Sequence, residues 1–146
     1  MTIQRMDNVG IVVDDLPAAV AFFTELGMEL EGEADIDGGP ADRMLGLDGV
    51  RTTIAMMRTP DGHGKLELTK FHAPAAVTAG PAEPPPHTMG LHRVMFAVDD
   101  LDATLARLRG HGAVLLGEVT RYGDAYLLCN LRGPSGIIVA LAERLG

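Results

Sequence analysis

The chain lacks most of what several familiar classes of protein require. It has one cysteine, Cys129, which excludes an internal disulfide and suits a reducing compartment. That cysteine follows Tyr126-Leu127-Leu128, so a buried small hydrophobe is expected there rather than a nucleophile. Tryptophan is absent and only four Phe and two Tyr occur, leaving few rings to stack on a ligand. Positive charge is scarce: 12 Lys and Arg against 20 Asp and Glu give a net charge of −8, the wrong sign for a phosphate-backbone surface, which excludes nucleic acid as a partner. The apolar run Val9–Val13 stops at Asp14-Asp15, too short for a signal peptide or a membrane span, so a cytoplasmic protein is expected. No glycine-rich phosphate loop, Ser–His–Asp order or paired-cysteine motif is present.

What the chain does have is an internal repeat. Residues 8–33 recur at 93–118, shifted by 85 positions, with 11 identities in 26 and no gap. Val9, Val13, Asp14, Asp15, Leu16, Gly27, Gly32 and Glu33 return as Val94, Val98, Asp99, Asp100, Leu101, Gly112, Gly117 and Glu118. Such a repeat marks two supersecondary units of one kind. With 146 residues, 47% hydrophobic and 22% charged, the chain (1–146) fits one globular domain holding both.

Each unit reads β-α-β-β-β. In the first, a Val/Ile-rich strand is predicted over Gln4–Val13. A helix follows, capped by Asp15, with Pro17 in its first turn and Gly27 as its stop. Its core stripe is Leu16, Val20 and Phe23. Strands are predicted over Met28–Ala34, Val50–Arg58 and Lys65–Phe71, the last two joined by a hairpin turn at Pro60–Gly64. The second unit repeats this with a strand over Met89–Val98, a helix capped by Asp100 and ended by Gly112, and a stripe of Leu101, Leu105 and Leu108. Its later strands are predicted over Ala113–Val119, Asp124–Leu131 and Ile137–Ala142, with a turn at Gly133–Gly136. The Asp35–Gly49 loop, with a helical turn at Asp42–Leu47, is an insertion in the first unit only. The modules therefore span 4–72 and 89–146, and the proline-rich stretch 73–88 between them, with Pro84-Pro85-Pro86, reads as a stiff spacer rather than a packed element.

Paired β-α-β-β-β modules whose strands run into Asp-Asp-Leu, at Asn8–Leu16 and Arg93–Leu101, resemble the vicinal oxygen chelate superfamily, the glyoxalase, bleomycin-resistance and extradiol-dioxygenase group. Lys65–Leu68 and Gly133–Leu141 add to the resemblance. It implies an α+β fold in which two tandem βαβββ modules form a cupped mixed sheet around a small-molecule site, a homodimer, and, in the enzymes, a divalent metal on four positions. Those positions fall here on Asn8, Glu67, Arg93 and Ala140. Only Glu67 is a usual ligand; Arg93 has no lone pair and would repel a cation, and Ala140 has no ligating atom. No cofactor is therefore predicted. A metal would need Glu67 with His92, whose side chain points to the opposite face from that of Arg93 unless the strand is bulged.

In place of metal, Arg93 and Glu67 are expected to form an ion pair that, with Asn8, either binds a small polar or anionic molecule or only satisfies buried charge. Arg121, Tyr122 and Tyr126, with Asp124, are candidate specificity residues at the cup mouth, or alternatively a solvated turn. His63, His72, His87 and His111 read as surface positions. Two functions stay open. One is a metal-independent lyase or isomerase, with dioxygenase chemistry if metal is bound, in which Glu67 is the general base and Arg93 stabilises the oxyanion. The other is a dimeric protein that sequesters an antibiotic without chemistry, against which the scarcity of aromatic side chains counts.

Overall fold

The computed structural model describes residues 2–91 and 93–146. Two compact units emerge, Met1–Val77 and Thr78–Gly146, and each is a βαβββ module with its own four-stranded mixed sheet.

In the first unit the strands are β1 (Val9–Val12), β2 (Glu29–Asp37), β3 (Arg51–Arg58) and β4 (Lys65–Ala73), in the spatial order β1-β4-β3-β2. β1 runs parallel to β4, and the other pairs are antiparallel. Helix α1 (Leu16–Leu26) follows β1, with Asp15 accepting a hydrogen bond from the Ala18 amide at 3.0 Å and Gly27 closing it at φ 120°. Its buried residues are Leu16, Ala19, Phe22 and Phe23, so the core stripe runs through Ala19 and Phe22 where Val20 was expected. Phe22 and Phe23 meet edge to face at 5.2 Å. The sheet contributes Ile11, Ala55 and Leu68, which are neighbours across three strands, together with Met57 and Leu66. The insertion forms a short helix, α2 (Pro40–Leu45), whose Asp42 carboxylate accepts from the Gly49 and Val50 amides.

In the second unit β5 (Arg93–Val98), β6 (Val114–Tyr122), β7 (Tyr126–Arg132) and β8 (Ile138–Arg144) take the order β5-β8-β7-β6. Helix α3 (Leu101–Arg109) buries Leu101, Thr104, Leu105 and Leu108. Its Asp100 cap accepts from the Ala103 amide at 3.0 Å, and Glu143 of β8 accepts from the Leu101 amide at 2.7 Å. Val139, Leu141, Cys129 and Leu131 form the buried sheet layer on one face. Burial also pushes the Cys129 thiol up from its ordinary pKa, which keeps it neutral and unreactive.

The structure corrects several predicted boundaries. β1 starts at Val9 rather than Gln4, and β5 at Arg93 rather than Met89. Partner length explains both: Val9 is already beside Leu66 near the start of β4, and Arg93 beside Ile138, the first residue of β8. β8 begins at Ile138 and β4 one residue before Leu66, so the partner strands set these limits. α3 stops at Arg109 with Gly110 as its cap, and Gly112 serves the following turn at φ 87°. The repeated Gly32 and Gly117 mark register shifts, at Leu30/Gly32 in β2 and between Leu116 and Thr120 in β6. The repeat therefore preserves bulges as well as a helix.

Beyond the end of β4 at Ala73, the predicted spacer is exposed except at Pro84, which the second unit holds. Buried Arg132 donates to the carbonyl oxygens of Pro84, at 2.8 Å, and Gly136, at 2.9 Å. The Thr88 hydroxyl donates to the Pro85 carbonyl at 2.7 Å. Proline removes backbone donors but leaves carbonyls, and a buried guanidinium has used one of them. Among the described residues no helix is long and apolar enough to cross a membrane.

Candidate functional site

Residues paired across neighbouring strands share a sheet face, so the register assigns each candidate a place. In the first unit Glu67 lies between Gly10 of β1 and Met56 of β3, on the face opposite the buried Leu66 and Leu68. Asn8 just precedes β1, two residues before Gly10, and both Asn8 and Glu67 are half-buried. In the second unit the face opposite Val139 and Leu141 carries Arg93 and Met95 on β5, Ile138 and Ala140 on β8, and Asn130 and Arg132 on β7. Arg93 and Arg132 flank Ile138 from either side, which sets their Cα atoms about 10 Å apart.

A cavity of about 330 Å³ opens on this second face, at the small end of the range that metabolite sites occupy. Arg93, Asn130 and Ile138 come to it from the sheet, and Pro86, Thr88, Gly90 and Leu91 from the segment before β5. Among the described residues the exposed Arg93 is its one charged residue, and none of those lining it is a carboxylate. Arg132 adds a second positive charge on the same face of the sheet, with carbonyls rather than an acid as its partners and a buried Nε that has none. The Asn130 side-chain oxygen is likewise buried and without a hydrogen-bond partner. The cavity thus combines one guanidinium, whose fork of donors is suited to an oxyanion, with one unpartnered acceptor at Asn130.

The sequence-predicted residues are distributed unevenly over this geometry. Arg93 is in the cavity. Asn8 and Glu67 belong to the first unit and Arg93 to the second; among the described residues neither Glu67 nor Arg93 has an ion-pair partner within its own unit. Arg121, Tyr122 and Tyr126 occupy the β6–β7 hairpin. Tyr122 and Tyr126 sit side by side there, 69% and 44% exposed. Arg121 turns back onto the hairpin, donating to the Gly123 carbonyl at 3.2 Å and standing 3.5 Å from Asp124. Tyr126 is four residues along β7 from Asn130, which places the hairpin tip about 13 Å from the cavity. Asn130 was not among the sequence candidates, although a single amide in Leu127-Leu128-Cys129-Asn130-Leu131 is a recognisable signal. His72 lies on β4, exposed, with its Nε2 2.8 Å from the Thr53 hydroxyl.

The donor set does not fit a divalent metal. The positions the resemblance assigns to ligands offer one carboxylate at Glu67, one amide at Asn8, a cation at Arg93 and the methyl of fully buried Ala140. Among the described residues no three His, Cys, Asp or Glu side chains gather where they could hold an ion. His92 lies outside the described residues.

Residues 5–141 match the family model of the Glyoxalase/Bleomycin resistance protein/Dioxygenase superfamily. A glyoxalase family protein from Bacillus cereus of known structure is 46% identical over 100% of this chain and 97% of its own, with a TM-score of 0.95. The Bacillus subtilis protein YwbC is 24% identical over 144 residues, 97% of this chain and 98% of its own. The trypanothione-dependent glyoxalase I of Leishmania major is similar in fold, with a TM-score of 0.68 at 21% identity over 97% of this chain and 87% of its own.

Proposed function

Because the chain belongs to the Glyoxalase/Bleomycin resistance protein/Dioxygenase superfamily, we propose that it binds a small anionic metabolite on the second module's sheet and does so without a divalent metal. The observation that carries this reading is Arg93. A guanidinium stands in a metabolite-sized cavity where no described residue is a carboxylate, at a position from which metal chemistry would need a neutral or anionic donor. A guanidinium offers a planar fork of donors to an oxyanion and repels a cation.

The test is a thermal-shift screen of the full chain against monocarboxylates, dicarboxylates and inorganic phosphate, beside Ni²⁺, Zn²⁺, Mn²⁺ and Fe²⁺. A bound anion at 100 times its Kd adds about 2.7 kcal/mol of stability, and Arg93→Met is expected to weaken that binding by at least about ten-fold. Stabilisation by a metal, with stoichiometric retention that disappears in Glu67→Gln, overturns the reading.

A further inference from the structure

The cavity contains a second polar instruction besides its charge. The Asn130 side-chain oxygen is buried, unpartnered and part of the cavity lining. An acceptor removed from water and left without a donor is unfavourable, and folded proteins almost always satisfy it. The matching position in the first module is apolar: Met56 is beside Glu67 as Asn130 is beside Ala140. The amide is therefore no requirement of the duplicated frame. We infer that the ligand is a small carboxylate bearing a hydroxyl group, its carboxylate on Arg93 and its hydroxyl donating to Asn130. This rests on the anion-binding reading above and specifies the ligand of that site.

Charge selects the donor. An ammonium group would also satisfy an amide oxygen, but Arg93 stands in the same cavity and Arg132 on the same face of the sheet, with no carboxylate among the described lining residues to offset them. A neutral hydroxyl avoids that repulsion. Donor count selects the anion. One guanidinium fork matches the two oxygens of a carboxylate, whereas a phosphate group has further oxygens to satisfy and no glycine-rich loop or helix start lines the cavity to supply amides. The Thr88 hydroxyl is already donated to Pro85. Arg93 and Asn130 are two strands apart across β8 and two residues apart along it, about 10 Å by 7 Å at the backbone. Both line the same cavity, a span that a short acyclic acid can bridge.

The experiment is isothermal titration of the full chain with butyrate, with 2-, 3- and 4-hydroxybutyrate, and with inorganic phosphate, in wild type, Arg93→Met, Asn130→Leu and Asn130→Ala. At least one hydroxybutyrate is expected to bind wild type about ten-fold or more tightly than butyrate, and which isomer wins reads the spacing between the two groups. Both Asn130 variants are expected to remove the advantage of that acid over butyrate, read as the ratio of the two affinities within each variant; melting curves check that they fold. Binding that depends on Arg93 without a gain from any hydroxyl, or a gain that survives in both Asn130 variants, overturns this inference and leaves the anion-binding reading standing. Phosphate binding more tightly than every acid overturns the carboxylate assignment. If none of these anions binds, or Arg93→Met binds them as wild type does, the anion-binding reading falls and this inference falls with it.

Discussion

Gly136 illustrates how much one residue can be asked to do. It sits at φ 79° in the β7–β8 turn, and a Cβ there would collide with the Ala82 carbonyl oxygen. Alanine at this position meets two penalties: the left-handed backbone, about 1–2 kcal/mol, and a collision with main chain that cannot rotate away. Gly136→Ala is therefore expected to lower stability by about 2 kcal/mol or more, measured as a fall in the urea midpoint at constant slope. An unchanged midpoint would mean that the 82–84 segment is not held against the turn. The sequence marks Gly133–Gly136 as a turn and so predicts a positive φ. It does not reveal the carbonyl overhead, because Ala82 is distant along the chain and only packing brings it there. Asn130 escapes notice for the same reason, since its importance lies in lacking a partner. Arg93 is legible because its value follows from position: the repeat aligns it with Asn8, and its chemistry rules out ligation.

At the scale of elements, the helices and their caps are the most legible parts, because the signals are local. Asp15 and Asp100 each cap their helix as their sequence context predicts. Strand ends are less legible because a strand extends only as far as its neighbour, and the neighbour's start is set elsewhere. The β3–β4 turn carries a titratable lock of its own. Asp61 accepts hydrogen bonds from the Thr59 hydroxyl and, at 3.0 Å, from the His63 amide, and these hold its carboxyl below the ordinary value. With the folded pKa depressed, the stabilisation is complete above the unfolded value of about 4 and is lost as pH falls through the lower folded value. An NMR titration of the His63 amide is expected to show its midpoint below about 4, and Asp61→Asn to remove the transition. A midpoint at or above that value would show that the two bonds do not form.

For the whole molecule, the duplication means that equivalent core positions can be compared inside one chain. Leu68 and Leu141 are both fully buried, one beside Ile11 and the other beside Phe96 on the parallel strand. Leu68→Ala and Leu141→Ala are each expected to cost about 2–5 kcal/mol, a large share of the roughly 5–15 kcal/mol of a typical domain. Chemical denaturation of each variant checks this, and a loss under 1 kcal/mol at either site would contradict the assigned packing. The second module's clasp of Arg132 on Pro84 anchors the stretch before β5 at one point. Beyond that point Pro86, Thr88, Gly90 and Leu91 supply one wall of the cavity. Substitutions in that short wall can retune which molecule is recognised without touching a strand or a helix, so selectivity can diverge along a connector while the duplicated frame stays constant.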